Sequence, residues 1–254
     1  MLKAALRSVM PPTVKARRIR FGPLRGCQLV TSWRDYPAAL LGYTEQPLLR
    51  WLAANVRQGE TWLDVGAHYG YTALALSRLV GPEGRVFAFE PVPTTAGYLA
   101  TTRSRNDLRQ LTVLPIGLSD TPSVTAIDVA LVRGMAEHGR AATVDRVTIV
   151  VGALDGIWDG LARDQRAIHG VKVDVQGMEV ETLEGMRGLL REFRPRLVVE
   201  FHAGADRPAA MRLLDELGYR LPGVPLTRPG AEPAEAELDD SSYAFVPAGM
   251  EVSR

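Results

Sequence analysis

The sequence predicts an α/β protein with a doubly wound, mostly parallel sheet and an N-terminal arm. Apolar stretches of strand length alternate with stretches of helix length from Thr61 to Gly218. Glycines stand where predicted strands and helices meet, and acidic residues follow several strands directly. Such alternation is typical of parallel sheets with right-handed crossovers, and ligands bind beyond the carboxyl ends of their strands.

Length and composition describe an ordinary globular chain of 254 residues, 46% hydrophobic and 23% charged. The net charge of +1 creates no strong field, so we expect no nucleic-acid partner. A transmembrane helix would need about 18 consecutive apolar residues, and the sequence contains no run of that length. The sequence contains no recognisable secretory signal, and the single Cys27 excludes an internal disulfide. We therefore expect a cytoplasmic protein.

Residues 1–45 form the predicted arm, which is rich in lysine and arginine. The basic arm either covers an anionic substrate or membrane surface, or is a solvated edge. Residues 1–10 fit one short amphipathic helix, and residues 18–33 fit two short strands around a Gly-Pro turn. Tyr43 and Glu45 either line a pocket or belong to a helix start, with Thr44 as the N-cap. The acidic segment 231–240 is expected to be a surface loop.

Residues 46–254 form the predicted main domain, interrupted by an irregular insertion at about 121–170. Two alternating stretches within the insertion indicate paired strands, followed by a short helix. The arm and the insertion are candidate contacts for a homo-oligomer. Outside the insertion, helices are expected at 45–56, 71–80, 94–106, 179–193 and 207–218, and strands at 61–65, 85–90, 111–120, 170–175, 195–202, 219–227 and 241–248.

The loop from Asp64 to Gly70 identifies the kind of ligand. A dinucleotide-binding loop needs a second glycine where its backbone approaches the pyrophosphate, and His68 occupies that position here. A nicotinamide-dependent oxidoreductase is therefore disfavoured, and no phosphate-binding P-loop motif is present. The loop suits S-adenosylmethionine, with Gly66 allowing a tight turn beside the methionyl and ribose groups. His68 is expected to bind the cofactor or to border the substrate.

Further positions complete the predicted cofactor site. The helix start from Gly70 to Thr72 favours the methionyl carboxylate, and Asp64 is expected to hold water or the ammonium group. Glu90 ends the next strand, where an acid pairs with both ribose hydroxyls. Ser119 or Asp120 is expected near the adenine, although Asp120 is equally suited to capping a turn.

Three polar residues at the ends of two later strands are candidates for catalysis. His202 is the leading general base for a hydroxyl acceptor, because histidine titrates near neutral pH. Asp174 is the second candidate, or it holds the methionyl ammonium. Glu200 lies on the same strand face as His202 and is expected to orient the imidazole. Lys172 is expected on the other face in a structural role, and Glu179 is expected to interact with a helix dipole.

Two blocks, 63–93 and 171–202, resemble the FkbM-type methyltransferases, and the resemblance spans roughly residues 20–250. It implies a Rossmann-like methyltransferase fold of seven strands, the seventh antiparallel at residues 242–248. It also implies S-adenosylmethionine as cofactor and O-methylation of a hydroxyl on a small molecule, such as a natural product or a sugar in a glycan.

The chain departs from the family at position 176, where Gln replaces the usual Glu. This change puts a metal-assisted mechanism in doubt. Asp174, Glu200 and His202 could still bind Mg²⁺ or another divalent ion, but no spacing motif supports this, so no metal is assigned. An N-methyltransferase and a non-catalytic cofactor-binding subunit remain alternatives.

Overall fold

The structure is a computed structural model that describes residues 10–130, 144–163, 166–202, 204–226 and 241–250. Nearly all of the expected helix over 1–10, and the whole acidic segment 231–240, lie outside these ranges. Within them, no helix is long and apolar enough to cross a bilayer.

The secondary structure elements follow the predicted alternation. The strands are β1 (Lys15–Arg18), β2 (Gln28–Thr31), β3 (Thr61–Val65), β4 (Arg85–Phe89), β5 (Leu111–Leu114), β6 (Gly117–Leu118), β7 (Ser123–Ala130), β8 (Val144–Gly152), β9 (Gly170–Val173), β10 (Arg196–Phe201), β11 (Val224–Pro225) and β12 (Ser241–Phe245). The helices are α1 (Pro37–Leu41), α2 (Gln46–Asn55), α3 (Tyr71–Val80), α4 (Pro93–Arg105), α5 (Leu154–Ala162), α6 (Glu179–Glu184), α7 (Arg187–Phe193) and α8 (Arg207–Glu216).

The central sheet has seven strands in the order β11-β12-β10-β9-β3-β4-β5. Strands β5, β4, β3, β9 and β10 are parallel, and β12 pairs antiparallel with β10. The predicted seven-stranded, mostly parallel sheet with a late antiparallel strand is confirmed. Because β3 lies in the middle, the loop that follows it opens at the centre of the carboxyl edge.

Helices cover both faces of this sheet. One apolar cluster joins α5, α6, α7 and α8 to one face, and a second joins α2, α3 and α4 to the other. All five residues of β3 are buried, as expected for a strand covered on both faces. The doubly wound arrangement is therefore confirmed.

The N-terminal arm packs against this domain. Its strands β1 and β2 pair antiparallel, and a third apolar cluster joins buried arm residues such as Leu29 and Leu40 to Leu74 of α3. The backbone N–H of Val30 donates to Thr102 Oγ1 of α4 over 3.0 Å. The arm therefore forms one wall of the space above the sheet's carboxyl edge.

Strands β7 and β8 pair antiparallel, as predicted for the segment after residue 121. They form a separate three-stranded sheet with β6. The expectation of one strand over 111–120 is wrong, because only β5 joins the central sheet while β6 pairs with β8.

Two local expectations about helices are also wrong. Residues 179–193 form two helices, since Gly185 lies so close to Ser119 that an added Cβ would be 2.0 Å from the Ser119 carbonyl oxygen. The Asp155 carboxylate then accepts the N–H groups of Gly188 and Leu189 at the start of α7. Thr44 is not the N-cap of α2, whose N-cap is Glu45 with a left-handed φ of 54° and no side-chain cap bond.

Candidate functional site

A cavity of about 260 Å³ lies at the carboxyl edge of the central sheet. Its floor comes from the loops after β3, β4 and β9, and β7 and β8 contribute Ile127, Asp128, Val129, Ile149 and Val151. The arm adds Tyr36 and Glu45. The cavity therefore lies where a ligand is expected in an open parallel sheet. Two of its walls, from the arm and from β7 and β8, do not belong to the central sheet.

The turn after β3 depends on the absence of a side chain at Gly66. Its φ is +78°, and an added Cβ would lie 1.8 Å from the carbonyl oxygen of Asp174. The turn thereby lies directly against the loop after β9. Next along the chain, Ala67 donates its N–H to Phe89 O over 3.0 Å, and His68 adopts a left-handed φ of 49°.

Glu90 is held at the end of β4 by backbone hydrogen bonds. Its Oε2 accepts the N–H of His68 over 2.9 Å, and its Oε1 accepts the N–H of Val92 over 3.0 Å. Burial raises the pKa of Glu90 to about 7, although both backbone hydrogen bonds act to lower it. The carboxyl lines the cavity in a fixed orientation, with acceptor capacity left on each oxygen.

Lys172 lies at the centre of a buried charge cluster. Its Nζ is 2.9 Å from Asp174 Oδ2 and 3.5 Å from Asp64 Oδ1, and its side chain is 6% exposed. Burial acts to lower the pKa of Lys172, but the charges of Asp174 and Asp64 raise it above its usual range. Placing Lys172 on the other face was wrong, because residues two apart on a strand share a face.

His202 is hydrogen bonded to Glu179 rather than oriented by Glu200. Its Nδ1 lies 2.9 Å from Glu179 Oε1, and the Glu179 side chain is fully buried. Glu179 also accepts the N–H of Gly177 over 3.0 Å. Glu179 lies in the first turn of α6, as expected for an acid that interacts with a helix dipole, and it also holds both the imidazole and the loop after β9.

Asp174, Glu200 and His202 converge at the edge of the cavity. His202 Nε2 is 3.4 Å from Asp174 Oδ1 and 3.7 Å from Glu200 Oε1. Asp174 and Glu200 line the cavity, with side chains 29% and 21% exposed, whereas that of His202 is 10% exposed. The two carboxylates therefore lie in front of the imidazole.

The pKa values of Asp174, Glu200 and His202 all differ from their ordinary values. Burial raises the pKa of Glu200, and the charge of Asp174 raises it further, to about 7. Burial acts to raise the pKa of Asp174, but Lys172 and His202 lower it below its ordinary value. Burial acts to lower the pKa of His202, but the Glu179 hydrogen bond and the charges of Asp174 and Glu200 raise it overall.

Aromatic and acidic groups from the arm form the opposite wall. The Tyr36 ring meets the rings of His68 and Tyr71 edge to face, with centroids 5.9 and 6.2 Å apart. Burial raises the pKa of Glu45. Tyr43, by contrast, is 61% exposed and stacks on Phe21 outside the cavity, so only Glu45 of that pair lines it.

The remaining predicted positions divide between the cavity wall and its support. Gly66, His68 and Thr72 line the cavity, whereas Asp64, Gly70 and Ser119 are not part of its lining. Asp64 is fully buried beside Lys172. Ser119 Oγ donates to Asp120 Oδ1 over 3.2 Å, and its neighbours Gly117 and Leu118 line the cavity instead.

Sequence reasoning missed Tyr36 and gave Lys172 and Glu179 structural roles. A buried strand that contains a lysine two residues before an aspartate was a usable signal for Lys172. No local pattern identified Tyr36 or the walls from β7 and β8, because their position depends on how separate segments pack.

Comparison with known proteins places this geometry in context. The family model described as "Methyltransferase FkbM domain" matches residues 64–221, which is more than half of the chain. The chain is 30% identical to hexuronic acid methyltransferase AglP of Haloferax volcanii over 174 residues, covering 68% of each protein.

The chain also matches solved structures of other proteins, including the following two. The methyltransferase FkbM from Methylobacillus flagellatus is 18% identical with a TM-score of 0.46, covering 84% of this chain and 54% of that one. Fibrillarin from Aeropyrum pernix, with natively bound S-adenosyl-L-methionine, is 15% identical with a TM-score of 0.48, covering 92% of this chain and 82% of that one.

Proposed function

Because this chain belongs to the FkbM methyltransferase family, whose cofactor is S-adenosylmethionine, we propose that it methylates a hydroxyl group of a sugar or a related natural product. The observation that carries the proposal is the convergence of Asp174, Glu200 and His202 beside the cavity that Glu90 also lines. The cavity thus combines a group suited to ribose hydroxyls with groups suited to accept a proton.

The residues around the glycine turn fit the cofactor. Gly66 keeps the turn free of a side chain, and Glu90 presents a carboxyl whose orientation two backbone N–H groups fix. We assign Glu90 to the ribose hydroxyls, and Gly66, His68 and Thr72 to the neighbouring wall. Asp64 and Gly70 support this wall from behind. Ser119 adjoins Gly117 and Leu118, which line the cavity and which we assign to the neighbourhood of the adenine.

When bound, S-adenosylmethionine would supply an electrophilic methyl group for transfer to the acceptor oxygen, and its sulfur would keep the electron pair of the broken carbon–sulfur bond. The chain's own residues must orient the hydroxyl and accept its proton. Glu200 and Asp174 border the cavity directly, and His202 adjoins both. A positioned base contributes about 10²–10⁴-fold to such a step.

A sugar acceptor is supported by the relative of Haloferax volcanii, whose name gives hexuronic acid as its substrate. The cavity offers an aromatic ring from Tyr36 and carboxylates from Glu45 and Asp128, which suit a ligand with several hydroxyl groups. A hexuronic acid also carries a carboxylate, which needs no base before methyl transfer. The acceptor oxygen must therefore be identified directly.

The first test is calorimetric titration of S-adenosylhomocysteine into the wild type and Glu90→Gln. The matched control is Glu216→Gln, the same chemical change at a side chain that is 60% exposed. We expect binding by the wild type and the control, and at least tenfold weaker binding by Glu90→Gln. Equal binding by all three proteins would refute the assignment of Glu90.

The second test follows transfer of a labelled methyl group to uronic acids, their methyl esters and neutral sugars. Label in an ether, resistant to mild alkali, is expected for hydroxyl methylation, with loss of activity in Glu200→Gln but not in Glu216→Gln. Label lost to mild alkali would indicate carboxylate methylation. Label on nitrogen of an amino sugar, with Glu200→Gln nearly unaffected, would indicate an N-methyltransferase.

A further inference from the structure

Asp174, Glu200 and His202 present three atoms to one point on the cavity wall. Taking one oxygen or nitrogen atom from each residue, all three atoms lie within 4.8 Å of one another. His202 Nε2 lies 3.4 Å from Asp174 Oδ1 and 3.7 Å from Glu200 Oε1. Neighbouring ligands of a Mg²⁺ ion with bonds of 2.0–2.1 Å are about 3 Å apart, so small side-chain movements would bring these atoms to coordination distance.

The second carboxylate oxygen of Asp174 and that of Glu200 each have a hydrogen-bond partner on the side away from His202. Lys172 Nζ is 2.9 Å from Asp174 Oδ2, and Ser242 Oγ donates to Glu200 Oε2 over 2.9 Å. These contacts leave Asp174 Oδ1 and Glu200 Oε1 facing His202.

The contact of His202 with Glu179 is the most informative of the three. A histidine that binds a metal almost always donates its other ring N–H to a carboxylate, a carbonyl or water. Here His202 Nδ1 lies 2.9 Å from Glu179 Oε1, and the Glu179 side chain is fully buried. This arrangement makes Nδ1 a donor and turns Nε2 toward the two carboxylates.

The charge around this point also favours a cation. Lys172 Nζ pairs with Asp64 and Asp174, and His202 lies beside Asp174, Glu179 and Glu200. Four carboxylates therefore share one ammonium group and one imidazole. Buried charges are stable in proteins when they are paired or coordinate a metal. A cation between Asp174 and Glu200 would neutralise charge that Lys172 leaves uncompensated.

We propose that Asp174 Oδ1, Glu200 Oε1 and His202 Nε2 bind one divalent cation that prefers oxygen-rich octahedral coordination, such as Mn²⁺ or Mg²⁺. Two carboxylates and one imidazole suit this class better than the sulfur-rich sites of softer metals. Gln176 removes no ligand from this set, because all three ligands lie at other positions.

The cation has a direct use if the proposed function is correct, on which this part of the inference rests. Asp174 and Glu200 line the cavity, so a cation held by them would border the space open to the acceptor. A hydroxyl bound to it would lose its proton more readily, as metal-bound water does. The cation would therefore orient the acceptor oxygen and stabilise its negative charge.

The competing occupant of this point is a proton. An imidazolium at His202 would hydrogen bond to Glu179 and face Asp174 and Glu200 with its second N–H, which satisfies the same three groups. In that case the protein would bind no divalent cation here. The two alternatives therefore differ in a property that can be measured directly.

The test is titration of the full chain, freed of metal with EDTA and desalted, with Mn²⁺, following the resonance of free Mn²⁺. We expect one Mn²⁺ per wild-type chain and at least tenfold weaker binding by Glu200→Gln and His202→Ala. The Glu216→Gln control should bind as the wild type does. Binding by Glu200→Gln and His202→Ala as tight as that of the wild type, or no stoichiometric binding by the wild type, would overturn the proposal.

A second measurement on the wild type does not depend on the folding of any variant. Bound Mn²⁺ should show coupling to one imidazole nitrogen by pulsed electron resonance, and absence of that coupling would contradict the assignment of His202. Glu179→Gln, which keeps an acceptor for the ring N–H, should weaken Mn²⁺ binding less than Glu179→Ala does. The loss for Glu179→Ala should be about 10–100-fold.

Parallel titration with S-adenosylhomocysteine separates this inference from the proposed function. Cofactor binding and full methyl transfer in EDTA, without Mn²⁺ binding, would reject the cation and retain the methyltransferase. Stoichiometric Mn²⁺ binding without methylation of any hydroxyl would retain the metal site and reject the acceptor chemistry.

Discussion

Glu179 and His202 are joined by a hydrogen bond of 2.9 Å from Oε1 to Nδ1, beneath the wall of the cavity. The side chain of Glu179 is fully buried, and that of His202 is 10% exposed. The bond connects the start of α6 to the residue that follows β10, which are 23 positions apart. It therefore fixes which nitrogen of the imidazole faces Asp174 and Glu200.

The first prediction concerns this bond. Glu179→Ala should lower kcat at least tenfold, because the ring loses the partner that orients it, while affinity for S-adenosylhomocysteine changes little. Glu179→Gln should retain most of the activity, since its amide oxygen still accepts the ring N–H. Steady-state kinetics and calorimetry provide the measurements. Equal losses in both variants would show that the charge of Glu179, and not its orientation of His202, is needed.

The second prediction is a pH dependence of cofactor affinity that originates at Glu90. Burial raises the pKa of this carboxyl to about 7, and donating ribose hydroxyls stabilise its ionised form. Affinity for S-adenosylhomocysteine should therefore rise with pH up to about 7 and then level off. Below that pKa it should fall by up to about tenfold per pH unit, since one pH unit corresponds to about 1.4 kcal/mol.

Calorimetry from pH 5.5 to 8.5 measures this profile, with Glu90→Gln as the comparison. The variant should bind weakly at every pH and lose the slope, because its amide does not titrate. A slope that persists in Glu90→Gln would assign the titration to a different group.

The third prediction compares two glycines of similar backbone conformation. Gly66 has a φ of +78° and Gly59 a φ of +81°. An added Cβ would lie 1.8 Å from Asp174 O at Gly66, whereas at Gly59 it would have no atom within 4 Å. Gly59→Ala should cost about 1 kcal/mol of folding free energy for its left-handed backbone alone. Gly66→Ala should cost clearly more, because the turn after β3 must move away from the loop after β9.

Urea unfolding of the two variants measures this difference. Gly66→Ala should also abolish binding of S-adenosylhomocysteine, whereas Gly59→Ala should not affect it. Equal destabilisation of the two variants would mean that backbone conformation, and not the close approach to Asp174, requires glycine at position 66.

The fourth prediction concerns Lys172, which pairs with Asp174 and Asp64. Lys172→Met should destabilise the protein by about 3–5 kcal/mol at neutral pH, because buried carboxylates lose their counter-charge. The double variant Lys172→Met with Asp64→Asn should recover part of that loss. Thermal and urea unfolding test both, and a double variant less stable than Lys172→Met would contradict the pairing.

The sequence predicted the parts of the site that depend on local rules. Strict alternation along β10 places Glu200 and His202 on one side, since side chains two apart share a face. Glycines 66 and 70 indicated a turn between strand and helix, and Glu90 stood at the expected strand end. Long helices were less predictable, because contact with Ser119 and Asp155 divides residues 179–193.

Residue patterns alone are sufficient to predict the doubly wound sheet, the carboxyl edge at which the site forms and the residues that follow its strands. Periodicity and glycine position determine these features, because they act over a few neighbouring residues. Three features depend on long-range packing: Glu179 orients His202, Lys172 neutralises Asp64 and Asp174, and the arm and β7–β8 close the cavity. These contacts join segments separated by up to about a hundred residues, and the packing of whole elements sets their distances.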